Sequence, residues 1–364
     1  MRLLTSGIYL VLIFIFPFFF ILKGIHFTDE PYQILCMLQL IEPDVLSFLH
    51  PVVGKVLSDI FPGRVVDFRI LAYLMQLLIF AAPVVYLLRK KLDSHTLLFW
   101  IAFSVILHTS RSSYMISPYT LSTLIKVLIL LFAYAWMKHQ GRGLLLLLGI
   151  LSAVNMAFRF PEILTIGIIG IFITMIGQMD GKTALQRLWD VSIYLISAIL
   201  CYLVMYMYVM DIDVLNTSNI FFHITEGIRE QQTFSQSHST FNLLKSYVKD
   251  SLVLGIIIAC FSLFLYIILR NKKNKFVYFA IYVIVLVTSM TANMTTYGTG
   301  LSLMFSALFL IASVFLLYNK SLETKENIWV VLLIIVAFIT SAGSSTGFLK
   351  LSYCLLPFLP VILV

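Results

Sequence analysis

An all-α, polytopic membrane bundle is the fold class that this sequence predicts, and three observations carry it. The 364-residue chain is 60% hydrophobic and 12% charged, with a mean hydropathy of +0.99. So much apolar surface exceeds what a water-soluble chain of this length buries, so lipid must cover most of it. Apolar runs of spanning length recur from end to end, and a spanning helix needs about 20 such residues. Basic residues cluster between alternate runs, which is how topology is written into a membrane chain.

On the length criterion, spans are expected near 4–23, 69–88, 96–110, 117–137, 143–158, 162–178, 188–209, 251–270, 276–292, 299–318, 328–342 and 351–364, a bundle of about ten to twelve. The first run is too long for the apolar region of a signal peptide and has no clean small-residue cleavage site after it. It is therefore read as a retained anchor. The last run stops at Val364 without a polar exit, and the expectation drawn from this is a missing C-terminal part.

Placing the N-terminus in the cytoplasm puts Arg2, Arg89-Lys90-Lys91, Lys138, Arg142, Lys182, Arg187, Arg270, Lys272, Lys273, Lys275, Lys320 and Lys325 on that side. Only Asp93, Asp180, Asp190, Glu323 and Glu326 accompany them. This satisfies the positive-inside rule in each inner loop and predicts a multi-pass membrane protein with a cytoplasmic N-terminus; a bacterial inner membrane is its expected location. The same distribution argues that the net charge of +8 reports topology and not a nucleic-acid partner. Cys36, Cys201, Cys260 and Cys354 lack disulfide or metal-ligand spacing and read as small buried hydrophobes.

The chain forms a single transmembrane domain, 1–364, with two long outer segments, 24–68 and 210–250. Loops of that length are functional or disordered in compact proteins. Within the first, Val45, Leu46, Leu49, Val53, Val56, Leu57 and Ile60 recur at helical spacing, predicting an amphipathic helix along the outer interface over 45–60.

Chemistry is suggested first by Asp29-Glu30, adjacent carboxylates just past the first span, followed by Pro31 and Tyr32. Pro31 brings the acids in on a rigid turn at the level of lipid head groups, although solvated helix-end charges would read the same way. Three cations fall at outer helix ends. Arg111 lies in His108-Thr-Ser-Arg-Ser-Ser-Tyr114, Arg159 in Asn155-Met-Ala-Phe-Arg-Phe-Pro-Glu162, and Lys350 follows Gly343-Ser-Ser-Thr-Gly347. Singly each is an ordinary snorkelling anchor; together they could hold a phosphate, Arg bidentately and Lys as a point charge.

His26, His50, His108, His223 and His238 all fall outside. A divalent metal beside the acidic pair is left open, but no metal-ligand spacing supports one and ordinary polar histidines are favoured. Lys126 lies within an otherwise apolar span. It either snorkels, pairs with an acid from another helix, or marks a functional path.

One long apolar helix, then Thr28-Asp29-Glu30-Pro31-Tyr32 and an interfacial helical pattern, then many spans, resembles the GT-C superfamily of polytopic, lipid-phosphosugar-dependent glycosyltransferases. Arg159-Phe-Pro-Glu162 and Gly343–Gly347 look similar to outer-end motifs of bacterial members. The resemblance implies transfer of a sugar from a polyprenyl-phosphate donor to a glycan, lipid or protein acceptor. It implies Asp29 as the catalytic base with Glu30 beside it. On this reading the outer cations Arg111, Arg159 and Lys350 are the candidates for the donor phosphate, and Tyr32, His50 and Glu162 are further substrate-binding candidates.

Two departures stand against it. Family members are usually longer, with a soluble outer domain, and a later second acid is available only as Glu162, Asp211 or Asp213. The rival class is a transporter or flippase for a lipid-linked or anionic solute, with Lys126 on its path. Matched half-helix breaks would favour it, and Pro83 and Gly167/Gly170 do not form such a pair. A third reading is an inactive scaffold of polysaccharide assembly.

Overall fold

The computed structural model describes residues 2–15, 48–60, 65–109, 116–210, 323–341, 354–358 and 360–361. Among these the protein is all-helical, with no strand. Nine helices of 12 or more residues are described: α1 (Arg2–Phe14), α2 (Leu49–Ile60), α3 (Val65–Leu88), α4 (Ser94–Thr109), α5 (Pro118–His139), α6 (Arg142–Phe158), α7 (Ile163–Met179), α8 (Ala184–Met210) and α9 (Thr324–Ser341). Short 3-10 turns occupy Phe160–Glu162 and Leu356–Phe358.

Four of these helices, α3, α5, α7 (counted with the turn before it) and α8, are long and apolar enough to cross a membrane; α1, α4 and α6 are apolar but shorter. The protein is thus a helical membrane protein. The expected spans at 251–270, 276–292 and 299–318 lie outside the described residues, and of 351–364 only 354–358 and 360–361 are described, as helical residues with a 3-10 turn over Leu356–Phe358.

Local signals explain where the central helices start and stop. Ser117 caps α5 by accepting a 3.1 Å hydrogen bond from the Thr120 amide, and Pro118 follows at the first turn, where its missing N–H costs nothing. The helix ends at Gln140, left-handed at φ 54°, whose amide returns to the Trp136 carbonyl. α6 stops at Phe158 because Pro161 cannot continue it, and the chain turns through Phe160–Glu162 before α7 begins.

α6 is the hub of the bundle. It packs against α5, α7 and α8 and carries α2 near its C-terminal end. The α6–α8 crossing is close because Gly149 has no side chain. A Cβ there would lie 2.5 Å from the Tyr194 carbonyl and would meet Ser197 Oγ as well. Small residues let helix backbones approach in this way when lipid supplies no hydrophobic drive for association. The main core joins α3, α5, α6, α7 and α9 around Trp136, Leu148, Phe172, Leu333 and Phe358, and a second cluster packs α1 and α4 on α3.

Helices alternate in direction, so polar ends collect at two levels. At one, Lys138 bonds Glu323 and Glu326, Lys325 pairs with Asp180, and Lys182 bonds Gln140 and Asp190 at 2.5 and 2.6 Å. The charged residues here are among those that the charge map assigned to one side, and they meet at one end of the bundle. The opposite end carries α2, the α6–α7 turn and the start of α5. There a helix is observed over Leu49–Ile60, where an interfacial one was expected over 45–60. Phe48 anchors it between Tyr202 and Tyr206, with ring centroids 5.6 and 5.4 Å apart. Val56 and Ile60 stay exposed, as suits a helix resting in the head-group region.

Replacing Gly149 by Ala is expected to lower the melting temperature in detergent, with a cost of about 1–3 kcal/mol from overpacking, and Gly149→Leu by more. The same changes at Gly143, where a Cβ meets nothing within 4 Å, should leave the melt unchanged.

Candidate functional site

The α6–α7 turn assembles the polar centre of the described protein. Arg159 closes α6, Glu162 ends the 3-10 turn, and Lys126 reaches them from α5, about 12 Å along that helix from its first residue. Lys126 and Glu162 are fully buried and Arg159 is 5% exposed. Unpaired charges in such surroundings would be prohibitively costly, so their partners are the first question.

Both Glu162 oxygens are occupied. Oε1 receives Lys126 Nζ in an ion pair and accepts a 2.9 Å hydrogen bond from Arg159 Nη1. Oε2 accepts from Thr165 Oγ1 at 2.9 Å and from Asn155 Nδ2 at 3.2 Å. Asn155 is oriented in turn by Ser122 Oγ, which donates to its Oδ1 at 2.7 Å. The Arg159 guanidinium lies 4.1 Å from the centre of the Tyr119 ring, a cation–π contact. One turn deeper, Tyr194 donates to Ser152 Oγ at 3.1 Å and to the Ile166 carbonyl at 3.2 Å, joining α8 to α6 and α7.

Chain geometry explains why the cluster forms here. Asn155 and Arg159 are four residues apart on α6, Ser122 and Lys126 four apart on α5, and Glu162 and Thr165 three apart across the start of α7; such pairs share a helix face. Of the three options for Lys126, the structure realises an ion pair, with an acid at a helix junction. Arg159 and Glu162, both expected at the site, are brought together. Asn155, Ser122, Thr165 and Tyr119 were not singled out from sequence. Their signal was polar residues recurring at helical spacing inside apolar runs.

Of the remaining expected site residues, only His50 falls within the described ones. His50 lies in the first turn of α2 and is 3% exposed. Burial pushes its imidazole down to about 4, partly offset by a hydrogen bond to the Ile116 backbone. Nε2 finds no hydrogen-bond partner among the described residues. Asp29, Glu30, Tyr32, Arg111 and Lys350 lie outside the described residues. Among the described residues no group of three or more His, Cys, Asp or Glu side chains is placed to hold a metal ion; the metal left open beside Asp29-Glu30 concerns a segment outside them. Among the described residues, Cys201 and Cys354 form no disulfide.

Chemically, Glu162 is spoken for. A carboxylate with both oxygens engaged by four donors acts as a counter-ion and not as a proton acceptor. What the cluster offers is cationic character, two basic side chains gathered on one oxygen beneath the α2 end of the bundle. Comparison with family models, with curated proteins and with solved structures finds no match for this chain.

Two outcomes are expected. Lys126→Met leaves Glu162 buried with one cation fewer and should cost about 3–5 kcal/mol of stability, while Lys126→Met with Glu162→Gln should recover part of that loss, with a coupling of about 0.5–3 kcal/mol in a double-mutant cycle. His50 is neutral when docked, so its contribution is fully present above its ordinary value of 6.5 and is lost as pH falls toward 4. Melting curves across that window should show a His50-dependent destabilisation of up to about 3 kcal/mol, absent in His50→Leu.

Proposed function

We propose that this chain is a GT-C-like membrane glycosyltransferase, a bundle of about ten to twelve spans. It moves a sugar from a polyprenyl-phosphate donor to a glycan, lipid or protein acceptor. The observation that carries the reading is the gathering of Arg159 and Lys126 at Glu162, within the Arg159-Phe-Pro-Glu162 segment that resembles an outer-end motif of bacterial members. A departing polyprenyl phosphate needs such cationic stabilisation, and Arg supplies it with bidentate geometry. α2, which follows the Asp29-Glu30 segment in the chain, packs at the same end of α6.

In this mechanism Asp29 takes the proton from the acceptor hydroxyl as its oxygen bonds to the anomeric carbon. The bond from that carbon to the phosphate oxygen breaks, and polyprenyl phosphate leaves with the electron pair. Glu30 assists or holds a divalent metal. Tyr32, His50, Arg111 and Lys350 complete the substrate contacts, with Arg111 and Lys350 joining Arg159 at the phosphate. The protein sits in the bacterial inner membrane with its N-terminus in the cytoplasm and its site at the outer face.

The rival transporter reading has one specific observation in its favour. Ionisable residues inside spans often mark solute or proton paths, and Lys126 and Glu162 are such a pair.

The test is sugar transfer in proteoliposomes, comparing wild type with Asp29→Asn, Glu30→Gln at equal abundance. Donor binding should persist, while release of polyprenyl phosphate should fall by about 10² or more. Full activity in the double variant sinks the glycosyltransferase reading. Movement of a lipid-linked solute across the bilayer with no release of polyprenyl phosphate would establish transport in its place.

A further inference from the structure

Glu162 was expected among substrate-binding residues, yet its carboxylate is buried and bonded on both oxygens. Two roles remain for an anion held between cations. It can compete with an incoming anion for Arg159 and Lys126, or it can hold them in place for that anion.

The bonding pattern separates these roles. Oε2 is gripped by neutral donors on two helices, Asn155 from α6 and Thr165 from α7, and Asn155 is itself held by Ser122 of α5. The carboxylate is therefore anchored independently of the cations it attracts. A displaceable competitor needs freedom to swing away, and Glu162 sits in a rigid turn beside Pro161 with its own amide bonded to the Arg159 carbonyl at 3.0 Å. Arg159 is fixed on both sides as well, by Glu162 at Nη1 and by the Tyr119 ring at 4.1 Å. Two like charges would otherwise repel; sharing Oε1 holds them within one carboxylate's reach.

We propose that Glu162 is a positioning residue, which fixes the Arg159 guanidinium on Tyr119 and keeps Lys126 beside it so that Arg159 receives a lipid-linked phosphate. The phosphate ligand rests on the glycosyltransferase reading above; the positioning does not. Glu162 touches no reacting atom and acts through Arg159.

The experiment uses the full chain in detergent micelles. Arg159 is labelled with phenylglyoxal and followed by peptide mass spectrometry, with and without farnesyl monophosphate as the probe, at matched melting temperature. In Glu162→Gln, Arg159 should react roughly tenfold faster than in wild type, and protection should need roughly tenfold more farnesyl monophosphate. Thr165→Val removes one anchor from the carboxylate and should move both readouts the same way by a smaller factor, about two- to threefold. It serves as the test if Glu162→Gln does not fold.

An unchanged labelling rate in a folded variant overturns the proposal. So does tighter protection in Glu162→Gln, which would make Glu162 a competitor. If farnesyl monophosphate protects neither protein, the lipid-phosphate reading fails, and the labelling rates alone decide the positioning role.

Discussion

The carboxylate of Glu162 is the constraint on which the described structure turns. It is a buried anion in a chain whose surroundings are hydrocarbon, and it is tolerable only because α5, α6 and α7 each bring it a donor. Those three helices are therefore held in one register at the α2 end of the bundle. Removing any one donor leaves a buried charge under-compensated, so the cluster specifies an arrangement more than it adds net stability. Apolar packing in a membrane gives little such specificity, because lipid tails are as apolar as Leu and Ile.

A proline makes the cluster possible. Pro161 ends α6 and opens a 3-10 turn, so Arg159 and Glu162 leave the helical repeat and fold back on each other at an i, i+3 separation. Lys126 then lies deep enough in α5 to reach the turn from below. The close α6–α8 crossing at Gly149 brings Tyr194 to Ser152 and the Ile166 carbonyl, carrying polar bonding one turn further. Chemistry and fold are thus joined at α6, which supplies Ser152, Asn155 and Arg159 along one face.

His50 illustrates the cost of docking the interfacial helix. Its ring is taken out of water to seat α2 beside Phe48, and desolvation alone drives it toward the neutral form. A histidine read from sequence as a polar outer residue thereby becomes part of the seat. The aromatic contacts of Phe48 with Tyr202 and Tyr206 provide the compensating burial.

Composition and the spacing of apolar runs determined by themselves that this is a helical membrane protein. They also placed α3, α5, α6, α7 and α8 within a few residues of their observed ends, because a hydrocarbon slab demands a minimum length of apolar helix wherever it is crossed. Among the described residues, Lys138, Lys182 and Lys325, from three of those basic clusters, meet acids at one end of the bundle. The pairing of Lys126 with Glu162, the burial of His50 and the four-donor cage were decided only in three dimensions. Each depends on which helices are neighbours and how they are rotated. In a chain that is apolar almost all round, hydrophobic periodicity carries little of that information, and a few polar side chains at helical spacing settle it when they find one another.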